Sequence, residues 1–331
     1  MIAAVSAAAD QGEGPGRPRR RPWYDVMAPE LTARQRLRRT PGRIAFRALN
    51  SAAHRMGYRL ERDTYYSPLV DLDAVPREQT LGKLRGIAFD SAEQLRYVSD
   101  VLGPYLAELE IPDHDPDGGL HLRNGAYEAA EAETLYAIVR ARKPARVLEI
   151  GSGSTTLIIA RALTANGGGE HRVYDPFAAP ELDGVATIVR ESASELPDEE
   201  FTALVAGDVL FVDSTHVVKL GSEVNHIVLD GLPQLATGVA VHFHDVFLPW
   251  DYPFGYFVYH RMHINEQYLV QAFLELNADY RILLALSAVG RLHPQEIAEL
   301  IPSVRGGAAP SSLWIERIGT SAQSGASSAD L

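Results

Sequence analysis

Two groups of residues in this chain combine types and spacing that can do chemistry. The first is the run Val147-Leu148-Glu149-Ile150-Gly151-Ser152-Gly153-Ser154-Thr155-Thr156. An apolar strand ends there in a Gly-Ser-Gly turn, and a helix begins. Glycines at such a turn let backbone approach a ligand closely, and the first helical amides face its polar groups. About 20 residues on, a second strand ends in Tyr174-Asp175-Pro176, where a carboxylate can accept hydrogen bonds from both hydroxyls of a ribose. The bland alternative is a plain strand-to-helix turn with Glu149 in a structural hydrogen bond, and the separate acid at Asp175 speaks against it. A nicotinamide-binding turn wants Gly or Ala at a third place, which Thr156 fills here.

The second group is Asp213, His216, His244 and Asp245. Asp213 closes one apolar strand, and His244-Asp245 closes the next. Neighbouring strands lie about 4.8 Å apart, and ligands bind at the carboxyl ends of parallel strands, so the four side chains should converge. Three roles stay open. Asp213, His244 and Asp245 could hold a divalent cation, with Mg2+ or Mn2+ expected of hard oxygen ligands and at most one imidazole. His216 or His244, beside Asp245, could act as a metal-free general base. The group could also be a structural polar cluster. His242 shares a strand face with His244 and reads as a core histidine, while His226 reads as a surface or core residue.

These residues need elements to position them. From Gly125 onward, short apolar strands alternate with helices, the pattern of a mainly parallel sheet covered on both faces. Strands are expected at Arg146–Ile150, Glu170–Asp175, Ala186–Arg190, Asp208–Asp213, Gly238–Asp245, Tyr280–Leu286 and Leu313–Ile318. Helices are expected at Tyr127–Arg142, Ser154–Leu163, Glu195–Val205, His216–Leu235 and Ile264–Asn277. The fold class is α/β, a Rossmann-like seven-stranded sheet, with a mostly helical extension over residues 23–122. In that extension, residues 30–60 read as basic helices broken at Thr40-Pro41-Gly42. Residues Asp90–Leu109 read as a helix with a Ser91/Gln94 capping box and a kink or split at Gly103-Pro104. Residues 1–22 and 320–331 lack periodicity and should be disordered, which leaves 123–319 as the sheet domain.

The Glu149-Ile150-Gly151-Ser152-Gly153 string and the acid at Asp175 resemble the first motif and the second-strand acid of class I S-adenosylmethionine-dependent methyltransferases. The resemblance covers roughly residues 124–318 and implies S-adenosylmethionine as cofactor. It implies cofactor contacts from Glu149, Gly151, Ser152, Gly153, Ser154, Asp175, Ser192 and Asp213, with Ser192 near the adenine. A helix-capping role is the other reading of Ser192. More narrowly, Phe211–His216, Val241–Asp245 and Asn265–Leu269 resemble a bacterial branch acting on small molecules. The catechol-type methyltransferases end the same two strands in acids that hold a cation, and this chain departs from them at His244. The implied reaction is methyl transfer to an oxygen, less readily a nitrogen, of a small-molecule acceptor. Two alternatives are a non-catalytic cofactor-binding or scaffold protein on the same fold and a nicotinamide-dependent oxidoreductase. The aromatic run Pro249–His260 reads as acceptor pocket or lid, or else as a packed connection or an oligomer contact, so a homo-oligomer stays open.

Composition bounds the rest. The chain has 331 residues, a net charge of -12 and no cysteine, so disulfides and thiolate metal sites are excluded. That fits a reducing cytoplasm, the expected location. No stretch approaches the about 20 apolar residues of a membrane span. Residues 1–62 hold 13 arginines, no lysine and five acids, while the remainder carries 18 basic and 38 acidic residues. An acidic body argues against a nucleic-acid partner and for a small molecule.

Overall fold

The computed structural model describes residues 33–60, 67, 69–115, 120–306 and 310–319. The expected disorder at 1–22 and 320–331 lies outside these. The chain divides into a compact unit ending at Pro68 and a second one from Leu69 onward. In the first, one helix runs Ala33–Arg55 straight through Thr40-Pro41-Gly42, where a break was expected. Pro41 lacks only its own amide, and the Ala, Arg and Leu residues around it are good helix formers. His54 and Arg55 sit in its last turn, where positive charge suits the helix dipole.

The second unit holds a seven-stranded sheet, β1 (Arg146–Ile150), β2 (Glu170–Tyr174), β3 (Thr187–Val189), β4 (Val209–Val212), β5 (Ala240–Phe243), β6 (Tyr280–Ala285) and β7 (Leu313–Arg317). Their order is β3-β2-β1-β4-β5-β7-β6. All pairings are parallel except those of β7, which runs antiparallel to β5 and β6. The chain therefore leaves β1 toward β2 on one side and returns to β4 on the other. In sheets of this kind ligands bind at such a switch point, in the crevice beyond the carboxyl ends of the strands.

Alternation along each strand feeds two cores, one on each face. Val147, Val209 and Phe211 pack with helices Glu131–Arg142 and Ser154–Ala165 and with Val98 and Leu102. Leu148, Ile150, Leu210, Val212, Val241 and Phe243 pack on the opposite face with Phe201, Ile227, Val228, Val270 and Leu274. The helical segment from Ser91 thus belongs to the same compact unit as the sheet. Among the described residues, no helix is long and apolar enough to cross a membrane.

Several element boundaries differ from the sequence reading, each for a local reason. The N-cap of the Ser91–Arg96 helix is Asp90, whose carboxylate accepts from the amides of Ala92 and Glu93, so the Ser91/Gln94 box is not formed. Gln94 is instead buried and accepts a 2.7 Å hydrogen bond from the amide of Ala285, at the end of β6. At Gly103-Pro104 the chain does not split. A widened π turn over Tyr97–Leu102 accommodates the proline and leads into Gly103–Leu106. The next helix begins at Glu131, later than Tyr127, because Ala130 takes a positive φ of 70° and Glu133 reaches back to its amide. Replacing Gln94 with Leu would leave the buried Ala285 amide unpaired, a cost of about 1–3 kcal/mol. Denaturant unfolding of Gln94→Leu should show that loss with S-adenosylmethionine affinity unchanged, and an unaltered midpoint would contradict it.

The long helix expected over His216–Leu235 is also corrected. His216 has φ 57° and Gly221 φ 73°, so residues 216–221 form a turn and leave Leu220 fully exposed. Ser222 caps a helical stretch that begins at Glu223, widens into a π turn over His226–Gly231 and tightens around Pro233. Val224, Ile227 and Val228 still face the core. Hydrophobic spacing located the buried face but not the helix start, because His216 is placed by the site.

Candidate active site

At the end of β1 the chain turns through Gly151 with φ 85° and Gly153 with φ 154°. The two glycines serve different ends. A Cβ on Gly151 would overlap the carbonyl oxygen of Asp213, so this glycine lets the β1 and β4 loops touch. A Cβ on Gly153 would meet no heavy atom within 4 Å. Open space therefore lies over the start of the Ser154–Ala165 helix, where free amides point. A bare glycine facing open space at a helix start fits a bound cofactor.

Glu149 lies beneath this loop and is fully buried. Its Oε1 accepts from Thr155 Oγ1 at 2.6 Å and Thr156 Oγ1 at 3.1 Å, and its Oε2 lies 2.7 Å from His171 Nε2. Thr156 Oγ1 also accepts from the amide of Gly153 at 3.1 Å. The threonine in the third-glycine place therefore ties the turn to Glu149. Thr155, Thr156 and His171 were missed from sequence, although a Thr pair one turn after a strand-end acid is a usable signal.

Asp175, half-buried after β2, accepts from Ser152 Oγ and from the amide of Phe177 at 2.7 Å. Each carboxylate oxygen keeps capacity to accept a further hydrogen bond. Ser192 is exposed after β3 and caps the short turn Ala193–Glu195, where its Oγ accepts from the amide of Ser194. His226 lies apart from the crevice, with Nε2 2.8 Å from the carbonyl of Leu196.

The second group does converge. Asp213 Oδ1 lies 3.2 Å from His216 Nε2 and 3.4 Å from His244 Nδ1. His216 Nδ1 is 2.8 Å from Glu266 Oε2, and His244 Nε2 is 3.5 Å from Glu131 Oε2. Asp245 has φ 55°, which turns its carboxylate back toward the group. Its Oδ1 accepts from Tyr256 Oη at 2.8 Å and Ser311 Oγ at 3.2 Å, while Oδ2 stays 3.7 Å from His216 Nε2. Asp213, His216 and His244 offer one atom each, all within 4.8 Å of one another. That trio has His216 in the place the sequence reading gave to Asp245, whose Oδ1 is taken up by Tyr256 and Ser311.

The electrostatics follow from enclosure and pairing. Burial opposes charge on His216, but Asp213 and Glu266 outweigh it and push its pKa to about 10. Burial likewise opposes charge on His244, but Asp213 and Glu131 carry its pKa well above the usual imidazole range. Burial also works against an ionised Asp213, yet the two imidazoles hold its carboxyl far below the usual range. Both shifts favour the protonated, donating form of the two imidazoles. His242 is the opposite case. Burial lowers its pKa, and it stacks on Phe211 at 4.0 Å, which makes it a neutral core histidine.

Four further residues join the cluster, two of them, Tyr256 and Glu266, from stretches already singled out in the sequence. Glu131 starts a helix, Tyr256 lies in the aromatic run, Ser311 precedes β7, and Glu266 opens the Glu266–Leu274 helix. Glu131, Ser311 and Tyr256 line a cleft over His244, together with Glu128 and the backbone of residues 125–126. The aromatic run divides its work. Tyr252 and Phe257 pack with Phe247 and Ile264, while Tyr256 faces the cleft.

Residues 148–246 match the family model described as a methyltransferase domain. They run from β1 through both residue groups to just past Asp245, over the strand order set out above. Over these residues the chain is similar to a methyltransferase domain. An uncharacterized protein of Archaeoglobus fulgidus is 29% identical over 104 residues, which cover 28% of this chain and 47% of that protein. The chain thus spans about half the length of that curated relative. Two solved structures are similar at 16% identity. One is a candidate O-methyltransferase from Klebsiella pneumoniae, with 71% of this chain and 92% of that chain covered at a TM-score of 0.35. The other is an O-methyltransferase from Bacillus cereus in complex with SAH, with 59% and 84% covered at a TM-score of 0.32.

Proposed function

We propose that this chain transfers a methyl group from S-adenosylmethionine to an oxygen, in preference to a nitrogen, of a small-molecule acceptor. The observation that carries this reading is the meeting of the two residue groups at Asp213. Its amide donates to the carbonyl of Ile150 at 2.9 Å, its own carbonyl oxygen sits against Gly151, and its carboxylate faces both histidines. A methyl donor over the glycine turn would therefore lie beside the polar cluster. S-adenosylmethionine supplies an electrophilic methyl carbon, and a divalent cation at the cluster would lower the pKa of an acceptor hydroxyl. The chain's own residues align the partners. Gly153 and Ser154 present backbone to the cofactor, Asp175 faces its ribose, and the cleft beside His244 guides the acceptor.

The cleft also bears on the acceptor's charge. Its lining offers the carboxylates of Glu128 and Glu131 and the hydroxyls of Tyr256 and Ser311, with no Lys or Arg among its described residues. Neutral or cationic hydroxylated molecules suit it, and phosphorylated or carboxylated ones are repelled. The nicotinamide alternative loses support because Thr156 fills the space under the turn where a third glycine would be needed.

Calorimetry with S-adenosylmethionine, S-adenosylhomocysteine and NAD, followed by transfer from labelled cofactor to a panel of hydroxylated acceptors, tests the reading. Binding of NAD alone would refute it. Asp175→Ala should fold normally and bind S-adenosylmethionine roughly 10–100-fold more weakly, the loss of charged hydrogen bonds worth about 1.5–3 kcal/mol. Unchanged affinity in the folded variant would remove Asp175 from the cofactor site.

A further inference from the structure

We propose that Asp213, His216 and His244 form a two-imidazole, one-carboxylate site for a divalent first-row transition-metal ion, and that Mg2+ is a poor occupant. The inference deepens the reading of this cluster as the reacting end of the crevice and rests on that reading.

Geometry is the main support. Two ligands each about 2.1 Å from one ion and separated by 90–109° lie about 3.0–3.4 Å apart. The edges from Asp213 Oδ1 to His216 Nε2 and to His244 Nδ1 are 3.2 and 3.4 Å. The third edge lies within 4.8 Å, close enough to shorten by a small ring rotation. Two of the three edges already have the spacing of ligands on one ion.

The outer atoms give an independent reason. A metal-binding histidine usually presents its other ring nitrogen to a carboxylate or a carbonyl, which fixes the ring and its tautomer. Both histidines do so here, His216 to Glu266 and His244 to Glu131. Glu266 is 1% exposed, and its Oε1 has no hydrogen-bond partner. A buried carboxylate held by a single histidine is costly to keep, and it orients that histidine's ring. Asp245 stands in reserve, with Oδ2 3.7 Å from His216 Nε2. The positive φ values of His216 and Asp245 point the same way. Non-glycine residues hold such angles where the surroundings over-determine them, as functional sites do.

The donor set decides the class of ion. Mg2+ takes oxygen ligands and keeps several waters, whereas imidazole nitrogens favour Fe2+, Co2+, Ni2+ and Zn2+. Two of three donors here are imidazoles. No thiolate can compete, since the chain has no cysteine. Asp213 is the partly open member, its side chain 32% exposed, so the remaining coordination positions face the crevice.

The test is metal binding to the full chain, stripped with chelator and dialysed. Calorimetric titration with Co2+, Ni2+, Zn2+ and Mg2+ should give a single site, with Mg2+ roughly 100-fold or more weaker than the others. Bound Co2+ should show a visible absorption band characteristic of nitrogen ligands. That band should be lost in His216→Ala and in His244→Ala, and retained in His226→Ala. Glu266→Gln keeps the ligands and should weaken binding about 10–100-fold, which tests the site even if a histidine variant fails to fold. S-adenosylmethionine affinity measured on the same preparations separates the two readings. Intact cofactor binding with no metal bound, or with Mg2+ bound as tightly as Co2+, overturns the metal site alone. Absence of cofactor binding with metal bound overturns the methyltransferase reading and leaves the metal site standing. A Co2+ spectrum unchanged by both histidine variants overturns this ligand assignment.

Discussion

Gly151→Ala should lose both stability and cofactor binding, whereas Gly153→Ala should keep its fold and lose only the cofactor. At Gly151 an L-residue pays for φ 85° by about 1–2 kcal/mol before any contact is counted. The new methyl group would also fall on the carbonyl oxygen of Asp213, which is backbone and cannot rotate away. Overpacking of that kind adds about 1–3 kcal/mol, and relieving it must push the β1 and β4 loops apart. Those loops carry the cofactor turn and the metal trio, so both functions should fail with the fold weakened by about 2–5 kcal/mol. At Gly153 the methyl group meets nothing within 4 Å. The loss of stability there should be the backbone cost alone, about 1–3 kcal/mol. The space it fills is the space assigned to S-adenosylmethionine, so affinity should fall by roughly 100-fold or more, about 2.7 kcal/mol. Thermal melts and cofactor calorimetry on the pair would check this. Tight binding to folded Gly153→Ala would place the cofactor elsewhere, and a wild-type melting temperature for Gly151→Ala would contradict the loop contact.

The two glycines also show which parts of the site were legible in the sequence. A turn between a strand and a helix is local, so the residue types that build it stand side by side in the chain. Asp175 and Asp213 were legible for a related reason, since strand ends in a parallel sheet collect at one edge whatever the helices do. Glu131 and Ser311 were not legible, and Glu266 and Tyr256 were legible only as members of the Asn265–Leu269 and Pro249–His260 stretches. Each reaches the cluster from a different element, and Glu131 lies 180 residues from Ser311, to which it is hydrogen-bonded. Nothing in hydrophobic spacing carries such a pairing. Weak signals existed in two acids opening a helix, Glu131 and Glu133, and in two serines directly before the last strand. The misreading over His216–Leu235 has the same origin. Its apolar residues do follow helical spacing, but His216 is held out of a helix by Glu266 and by hydrogen bonds from the amides of Asn265 and Glu266 to its carbonyl. A tertiary contact overrode the local preference at the position where function needed it.

Glu131 offers the largest effect outside the matched domain, and its two obvious variants should behave differently. Oε1 accepts from the amide of Ser311 and from Ser312 Oγ, both at 2.8 Å, and Oε2 faces His244. Glu131 is 4% exposed, so water cannot replace these bonds without opening the structure. Glu131→Ala leaves a buried amide and a buried, charged imidazole each short of a partner, a combination that costs about 3–5 kcal/mol. At about 2–4 °C per kcal/mol for a domain of this size, the melting temperature should drop by roughly 10 °C. Glu131→Gln keeps an acceptor for Ser311 and Ser312 and removes only the charge facing His244. Its stability should change by about 1 kcal/mol. Transition-metal affinity should nonetheless fall by roughly 10-fold or more, because the outer carboxylate no longer orients the His244 ring. S-adenosylmethionine affinity should stay constant in Glu131→Gln, since the glycine turn lies on the far side of Asp213. Equal melting temperatures for the two variants would show that Oε1 does not bind the Ser311 amide. Unchanged metal affinity in Glu131→Gln would show that His244 is oriented by Asp213 and Ser311 alone, and Glu131 would then be a strut between the Glu131–Arg142 helix and β7.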